Sequence, residues 1–232
     1  MRKSALIIAN WRYDDPLLRT LVAPSRDAED LAAVLGDPAI GGFDVQVVSN
    51  EPSYRVCESA ETFFDSRDRD DMLLLYFSGH GVTDADGQLY YATRNTLHNR
   101  LRSTAVAAIW VNNLMNECGS RRQVLLLDCC HSGAFARTKA APTVNVAQYF
   151  SGPAHEEGRG RFILTASDAF QYSFEGDAVQ GSGVNSVFTG ALIEGLRTGQ
   201  SRSRRRWPHH ARRALPLRVQ ACAGEDQSAN AE

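Results

Sequence analysis

The sequence predicts an α/β protein, a three-layer α/β/α sandwich built around a mostly parallel sheet. Two observations support this fold class. Short apolar runs alternate along the chain with stretches that have helical periodicity. The apolar runs are continuous, with no regular polar alternation, which is typical of strands buried on both faces between two layers of helices.

Five of the apolar runs are predicted strands. They are Ala5–Ala9, Val45–Val48, Met72–Phe77, Val124–Leu127 and Phe162–Thr165. A small hairpin is predicted after the third strand, because Gly87 lies between two polar residues and the apolar run Leu89–Ala92 follows it.

Helices are predicted in the intervals between the strands. Arg26–Leu35 follows Pro24 and Ser25, and its apolar residues recur at helical spacing on one face. The other predicted helices are Tyr54–Phe64, Ala107–Glu117 and Val187–Leu196. This order of strands and helices implies βαβ units, in which neighbouring strands are parallel.

The chain has 232 residues, which suits one domain, and we place that domain at residues 1–199. Residues 134–160 have no clear periodicity and are predicted to form a long loop. Residues 200–232 form a basic tail of net charge +4, whereas the rest of the chain has a net charge of −6. We expect this tail to be disordered.

The composition excludes several classes of protein. With 43% hydrophobic and 22% charged residues and no apolar run near the length of a membrane span, the chain is expected to be cytoplasmic, without a membrane partner. Its five cysteines are odd in number and lack paired metal-ligand spacing, which argues against both a disulfide framework and a zinc site.

Two polar motifs follow the third and fourth large strands. Ser-Gly-His-Gly surrounds His80, and Asp-Cys-Cys-His-Ser-Gly surrounds Cys130. Because ligands bind at the carboxyl ends of parallel strands, we expect this histidine and this cysteine to face each other. A thiol nucleophile needs such a base, first to form the thiolate and later to protonate the leaving amine. Gly81 is expected to let the backbone turn, so that its N–H and that of Cys130 bind a developing oxyanion.

These motifs, SGHG at residues 78–81 and DCCHSG at residues 128–133, resemble the two signatures of the caspase fold. The likeness is greatest to metacaspases, paracaspases and bacterial caspase-like proteins, and it covers residues 3–199. The histidine precedes the cysteine by 50 residues, about the separation known for caspases. The resemblance implies that residues 1–199 are a caspase-like peptidase domain with His80 as general base and acid and Cys130 as nucleophile. Cys129 occupies a family position that is not the nucleophile.

The resemblance also implies a substrate preference. Caspases that cleave after aspartate are similar in having glutamine two residues before the nucleophile, where this chain has Asp128. In metacaspases and paracaspases that aspartate and one in the first helix, here matched by Asp27, bind arginine or lysine. Glu175 matches a third acidic position. Clustered carboxylates repel each other, and a guanidinium relieves this repulsion, so we predict cleavage after Arg and, less well, after Lys.

Activation and partners are inferred from the same resemblance. The loop at residues 134–160 corresponds to the segment between the caspase subunits, and its Arg137, Lys139 and Arg159, with Arg161 just beyond, predict self-cleavage. Relatives act with sensor or effector partner proteins in bacterial defence or programmed cell death. No cofactor is expected. Calcium activates some metacaspases, but the acidic run at 65–71 fits no calcium loop and is interpreted as solvated surface.

Other interpretations of the sequence remain open. The arginines of the tail are one basis for a nucleic-acid contact, but we favour a shifted reading frame in a GC-rich gene, so nucleic acid is not an expected partner. If the tail replaces a final strand, the chain is a catalytically impaired caspase-like adaptor. A nucleotide-binding α/β domain is a third interpretation, which the lack of a glycine-rich phosphate loop after the first strand disfavours.

Overall fold

The computed structural model describes residues 1–131, 160–166 and 185–199. The strands are β1 Lys3–Ala9, β2 Asp44–Ser49, β3 Met72–Thr83, β4 Leu89–Tyr91, β5 Val106–Ala107, β6 Arg122–His131 and β7 Gly160–Thr165. The helices are α1 Ala23–Gly36, α2 Ser53–Phe64, α3 Leu101–Thr104, α4 Ala108–Glu117 and α5 Val187–Thr198, and a 3₁₀ turn covers His98–Arg100.

The sheet is mostly parallel, as predicted. The strands β2, β1, β3, β6 and β7 lie side by side in that order and are all parallel. A two-stranded extension, β4 and β5, continues the sheet beyond the carboxyl end of β1, with β4 antiparallel to β3. The third strand therefore has β1 beside its first half and β4 beside its last residues.

Helices cover both faces of this sheet, which confirms the three-layer architecture. On one face α1 and α5 pack on the sheet through apolar residues such as Leu31, Leu35 and Ile193. On the other face α2 and α4 do so through residues such as Phe63 and Met115. Burial of each such side chain stabilises the fold by about 1.5–3 kcal/mol. None of the described helices has the length and apolar character needed to cross a membrane.

All five predicted strands are longer than predicted, and β3 and β6 exceed their predicted ranges the most. The apolar runs end at Phe77 and Leu127, but β3 continues to Thr83 and β6 to His131. They continue because β3 and β6 pair with each other as far as Gly81 and His131, and because β4 supplies a new neighbour for β3. Both polar motifs thus begin inside the sheet.

Candidate active site

The register of β3 and β6 places the two motifs beside each other. Ser78 is paired with Asp128, and His80 is paired with Cys130. Paired residues on neighbouring strands are about 4.8 Å apart. The backbones of the predicted base and the predicted nucleophile are therefore direct neighbours at the carboxyl end of the sheet.

The imidazole of His80 has a defined setting. The side chain is buried, and its Nε2 lies 2.8 Å from the carbonyl oxygen of Arg19. A carbonyl oxygen only accepts hydrogen bonds, so Nε2 carries a proton in the neutral ring and Nδ1 is the nitrogen that can accept one. The ring also packs against Tyr13, with the two ring centroids 4.9 Å apart.

Gly79 explains why glycine precedes the histidine. Its φ is +153°, and a Cβ there would lie 3.1 Å from both the carbonyl oxygen of Asn10 and the hydroxyl of Tyr13. Only glycine accepts this backbone conformation and this close approach without strain.

Gly81 behaves differently from the prediction. The chain does not turn there, because Gly81 continues β3 and is paired with Tyr91 on one side and His131 on the other. The oxyanion roles of Gly81 and Cys130 stay predictions.

The carboxylates of Asp27 and Asp128 lie in one buried cluster beneath the start of α5. Asp27 accepts the backbone N–H of Ser186 at 2.9 Å. Asp128 accepts hydrogen bonds from the hydroxyls of Ser186, Thr189 (2.6 Å) and Tyr76 (3.4 Å). Ser186, the N-terminal cap of α5, thus donates to both carboxylates at once.

Burial makes this cluster electrostatically unusual. Asp27 is 0% exposed, and this burial, together with the nearby charge of Asp128, raises its pKa to about 7. Burial also raises the pKa of Asp128, although its three hydroxyl donors oppose the shift. The side chains of Asn185 and Ser186 oppose the upward shift at Asp27, but burial outweighs them. Burial thus favours the protonated, uncharged form of both carboxylates.

Some predicted features lie outside the described residues. These are Glu175, the tail at residues 200–232, and all but the last residue of the loop at 134–160, since Gly160 begins β7.

Arg161 is described, and it is a poor site for self-cleavage. It lies in β7, and its guanidinium donates to the side chains of Asn112, Asn116 and Gln123. It therefore links β7 to α4 and is held within the fold.

The acidic run at 65–71 has a structural role at its end. Asp71 is buried and accepts the backbone N–H groups of Arg2 and Asp68. Within the three described ranges, no group of His, Cys, Asp and Glu is arranged to hold a metal ion.

Several residues of the site were not predicted from the sequence. Tyr13 and Arg19 reach His80 from a loop without regular structure, and no sequence signal indicates them. Thr189 and Tyr76 are joined by a hydrogen bond of 2.8 Å behind Asp128. Ser186 had a usable signal, since a serine directly before an apolar helix is a common N-cap.

The sheet is the α/β architecture of a mostly parallel sheet covered by helices, with a histidine and a cysteine on neighbouring strands at its carboxyl end. The family model of the caspase domain, peptidase C14, matches residues 2–229, a range that runs into the basic tail. The chain belongs to this caspase-domain family of cysteine peptidases.

Solved structures of other proteins have a similar fold. A protein from Geobacter sulfurreducens has a TM-score of 0.60 and 19% identity, with 94% of this chain and 90% of that chain covered. Caspase-1 from Spodoptera frugiperda has a TM-score of 0.56 and 21% identity, with 87% and 73% covered. The structure of pro-sf-caspase-1 has a TM-score of 0.53 and 17% identity, with 85% and 72% covered. A search of curated proteins returns no significant match.

Proposed function

We propose that this chain is a cysteine endopeptidase that cleaves after arginine and, less well, after lysine. The observation that carries the proposal is the pair of buried carboxylates, Asp27 and Asp128, beside the paired positions of His80 and Cys130. No lysine or arginine among the described residues makes an ion pair with Asp27. A cationic side chain of a substrate would supply the missing charge.

The proposed reaction uses the dyad in two stages. Nδ1 of His80 takes the proton of the Cys130 thiol, and the thiolate attacks the carbonyl carbon of the scissile peptide bond. The N–H of Cys130 is the proposed donor to the oxyanion, and the imidazolium gives its proton to the leaving amine as the C–N bond breaks. Water, deprotonated by the same imidazole, then hydrolyses the thioester and restores the free thiol.

The proposed S1 pocket, the site for the residue before the scissile bond, consists of Asp27, Asp128 and Glu175. Both aspartates are buried and receive donors from Ser186. A guanidinium offers planar paired donors of the same kind together with a positive charge, so it can replace the donors of Ser186. A lysine ammonium brings the charge without the paired geometry, which supports the lower preference for lysine.

A covalent probe tests the activity. We expect an arginyl chloromethylketone to label the purified chain, a lysyl analogue to label it more slowly, and an aspartyl analogue to leave it unlabelled. Labelling should disappear in Cys130→Ala and in His80→Ala. If the wild-type chain and Cys130→Ala are labelled equally, the chain is not this enzyme, and the adaptor interpretation gains support.

Asp128→Asn tests the pocket separately from the dyad. It removes the charge while keeping the size of the side chain, and we expect kcat/KM for arginyl peptides to fall about 10- to 100-fold. Alkylation of Cys130 by iodoacetamide, which is neutral, should stay at the wild-type rate. Full activity of Asp128→Asn on arginyl peptides would show that the pocket lies elsewhere.

We further propose that the chain cleaves itself within the loop at 134–160, where Arg137, Lys139 and Arg159 provide suitable sites. Fragmentation of the wild-type protein, absent from Cys130→Ala incubated in parallel, tests this step. Sensor or effector proteins are the proposed partners, in bacterial defence or programmed cell death, and the reaction needs no cofactor. Among the described residues, Cys57, Cys118 and Cys129 form no disulfide with one another, which supports the proposal of a reducing, cytoplasmic location.

A further inference from the structure

The backbone of His80 lies where the third strand changes its neighbour. Pairing of β1 with β3 ends at Ala9 and Ser78, and the N–H of Asn10 makes one more bond to the carbonyl of Ser78. On the same side, the next backbone bond runs from the N–H of Ala92 to the carbonyl of His80. The N–H of His80 therefore falls between the end of β1 and the start of β4, where no strand supplies an acceptor.

A side chain fills this gap. The hydroxyl of Tyr13 accepts the N–H of His80 at 3.1 Å and donates to the carbonyl of Asn10 at 2.8 Å. The phenol thus lies over the peptide between Gly79 and His80, which is why a Cβ at Gly79 would approach the hydroxyl to 3.1 Å. Its ring also packs against the imidazole at an interplanar angle of 38°.

We propose that Tyr13 is a positioning residue for His80, an inference that rests on the proposed peptidase function. Its hydroxyl fixes the backbone of the histidine and its ring fixes the plane of the imidazole. Together they keep Nε2 on the carbonyl of Arg19 and leave Nδ1 as the basic nitrogen. In this role Tyr13 acts through His80.

The hydroxyl of Tyr13 is the group that positions His80. The variant Tyr13→Phe removes this hydroxyl and keeps the ring. Without the hydroxyl, the N–H of His80 and the carbonyl of Asn10 would both lose their hydrogen bond in a buried place. Buried backbone groups rarely stay unpaired, so the strand would shift until they found water or another partner. A shift of this kind at the residue that bears the base misplaces the imidazole.

Kinetics of Tyr13→Phe on an arginyl peptide provide the first test. We expect kcat to fall about tenfold while KM stays unchanged, because only the base is displaced. Tyr90→Phe is the matched control. Tyr90 belongs to the apolar cluster against which Tyr13 packs, but its hydroxyl is bonded to Asp84 at 3.3 Å and not to the histidine. The control should keep the wild-type kcat.

Nuclear magnetic resonance of the His80 ring provides a second test that needs no turnover. In a Cys130→Ala background, two-bond ¹H–¹⁵N correlations report which ring nitrogen is protonated. We expect the Nε2–H form to dominate, to decrease in Tyr13→Phe, and to persist in Tyr90→Phe.

The two tests separate the inference from the function. If the wild-type chain does not react with arginyl probes, the proposed function fails, and the resonances alone decide the role of Tyr13. If Tyr13→Phe keeps both the wild-type kcat and the wild-type tautomer, the inference is overturned.

Discussion

Replacement of Asp27 by asparagine tests the electrostatics of the carboxylate cluster directly. Burial, and then the charge of Asp128, raise the pKa of Asp27 in the folded protein to about 7, from an ordinary value of 3.8. Between these two pH values the folded chain holds a proton that the unfolded chain has released. The free energy of unfolding must therefore fall as the pH rises from about 4 to about 7.

The size of this effect follows from the shift. A difference of about three pKa units, at about 1.4 kcal/mol each, corresponds to about 4 kcal/mol in full, of which about 3 kcal/mol is lost between pH 5 and pH 8. Asparagine cannot ionise, and it can still accept the N–H of Ser186 through its carbonyl oxygen. The free energy of unfolding of Asp27→Asn, measured relative to that of the wild type, should therefore rise by about 3 kcal/mol from pH 5 to pH 8.

Urea unfolding at pH 5, 6, 7 and 8 measures this difference, with every protein carrying Cys130→Ala to prevent self-cleavage. Glu29→Gln is the matched control, since it removes an exposed carboxylate from the same helix. The control should differ from the wild type by a similar amount at each pH. A constant difference between Asp27→Asn and the wild type across this range would refute the reasoning.

Two further predictions concern the framework of the site. Gly79→Ala should lower the free energy of unfolding by about 1–3 kcal/mol and reduce peptidase activity, because alanine is strained at φ +153° and meets Asn10 and Tyr13. Gly195→Ala is the control, since Gly195 lies in α5 with open space around it. This variant should raise the free energy of unfolding by up to about 1 kcal/mol in the same urea titration. Arg161→Met should cost about 1–3 kcal/mol, because it removes a half-buried guanidinium that donates to the side-chain oxygens of Asn112, Asn116 and Gln123. Unfolding midpoints unchanged from the wild type would contradict this.

The sequence predicted the layers and the order of the elements well, because burial on both faces leaves a clear apolar pattern. The β7 run, for example, was predicted at Phe162–Thr165 and is found at Gly160–Thr165. It predicted the ends of β3 and β6 poorly. Polar residues such as Ser78 and Asp128 interrupt the apolar pattern, although the backbone still pairs through them.

The positions of His80 and Asp27 were predicted from motifs, but their surroundings were not. The carbonyl of Arg19 is 61 residues from the histidine that it contacts, and Ser186 is 159 residues from Asp27. Contacts between distant segments depend on how loops pack, and periodicity carries no information about that packing. This is why the resemblance identified the acidic residues while the bridging serine was missed.

The register of β3 and β6 connects the proposed specificity to the proposed chemistry. Ser78 and Asp128 form one pair, and His80 and Cys130 form the next pair on the same side of the ladder. Two residues of strand span about 7 Å, so the backbone of Asp128 lies at roughly this distance along the sheet from that of His80 and Cys130. A long cationic side chain can bridge such a distance and neutralise the cluster. An aspartate is short, and its charge would add to that of Asp27 and Asp128, so both reach and charge oppose cleavage after aspartate.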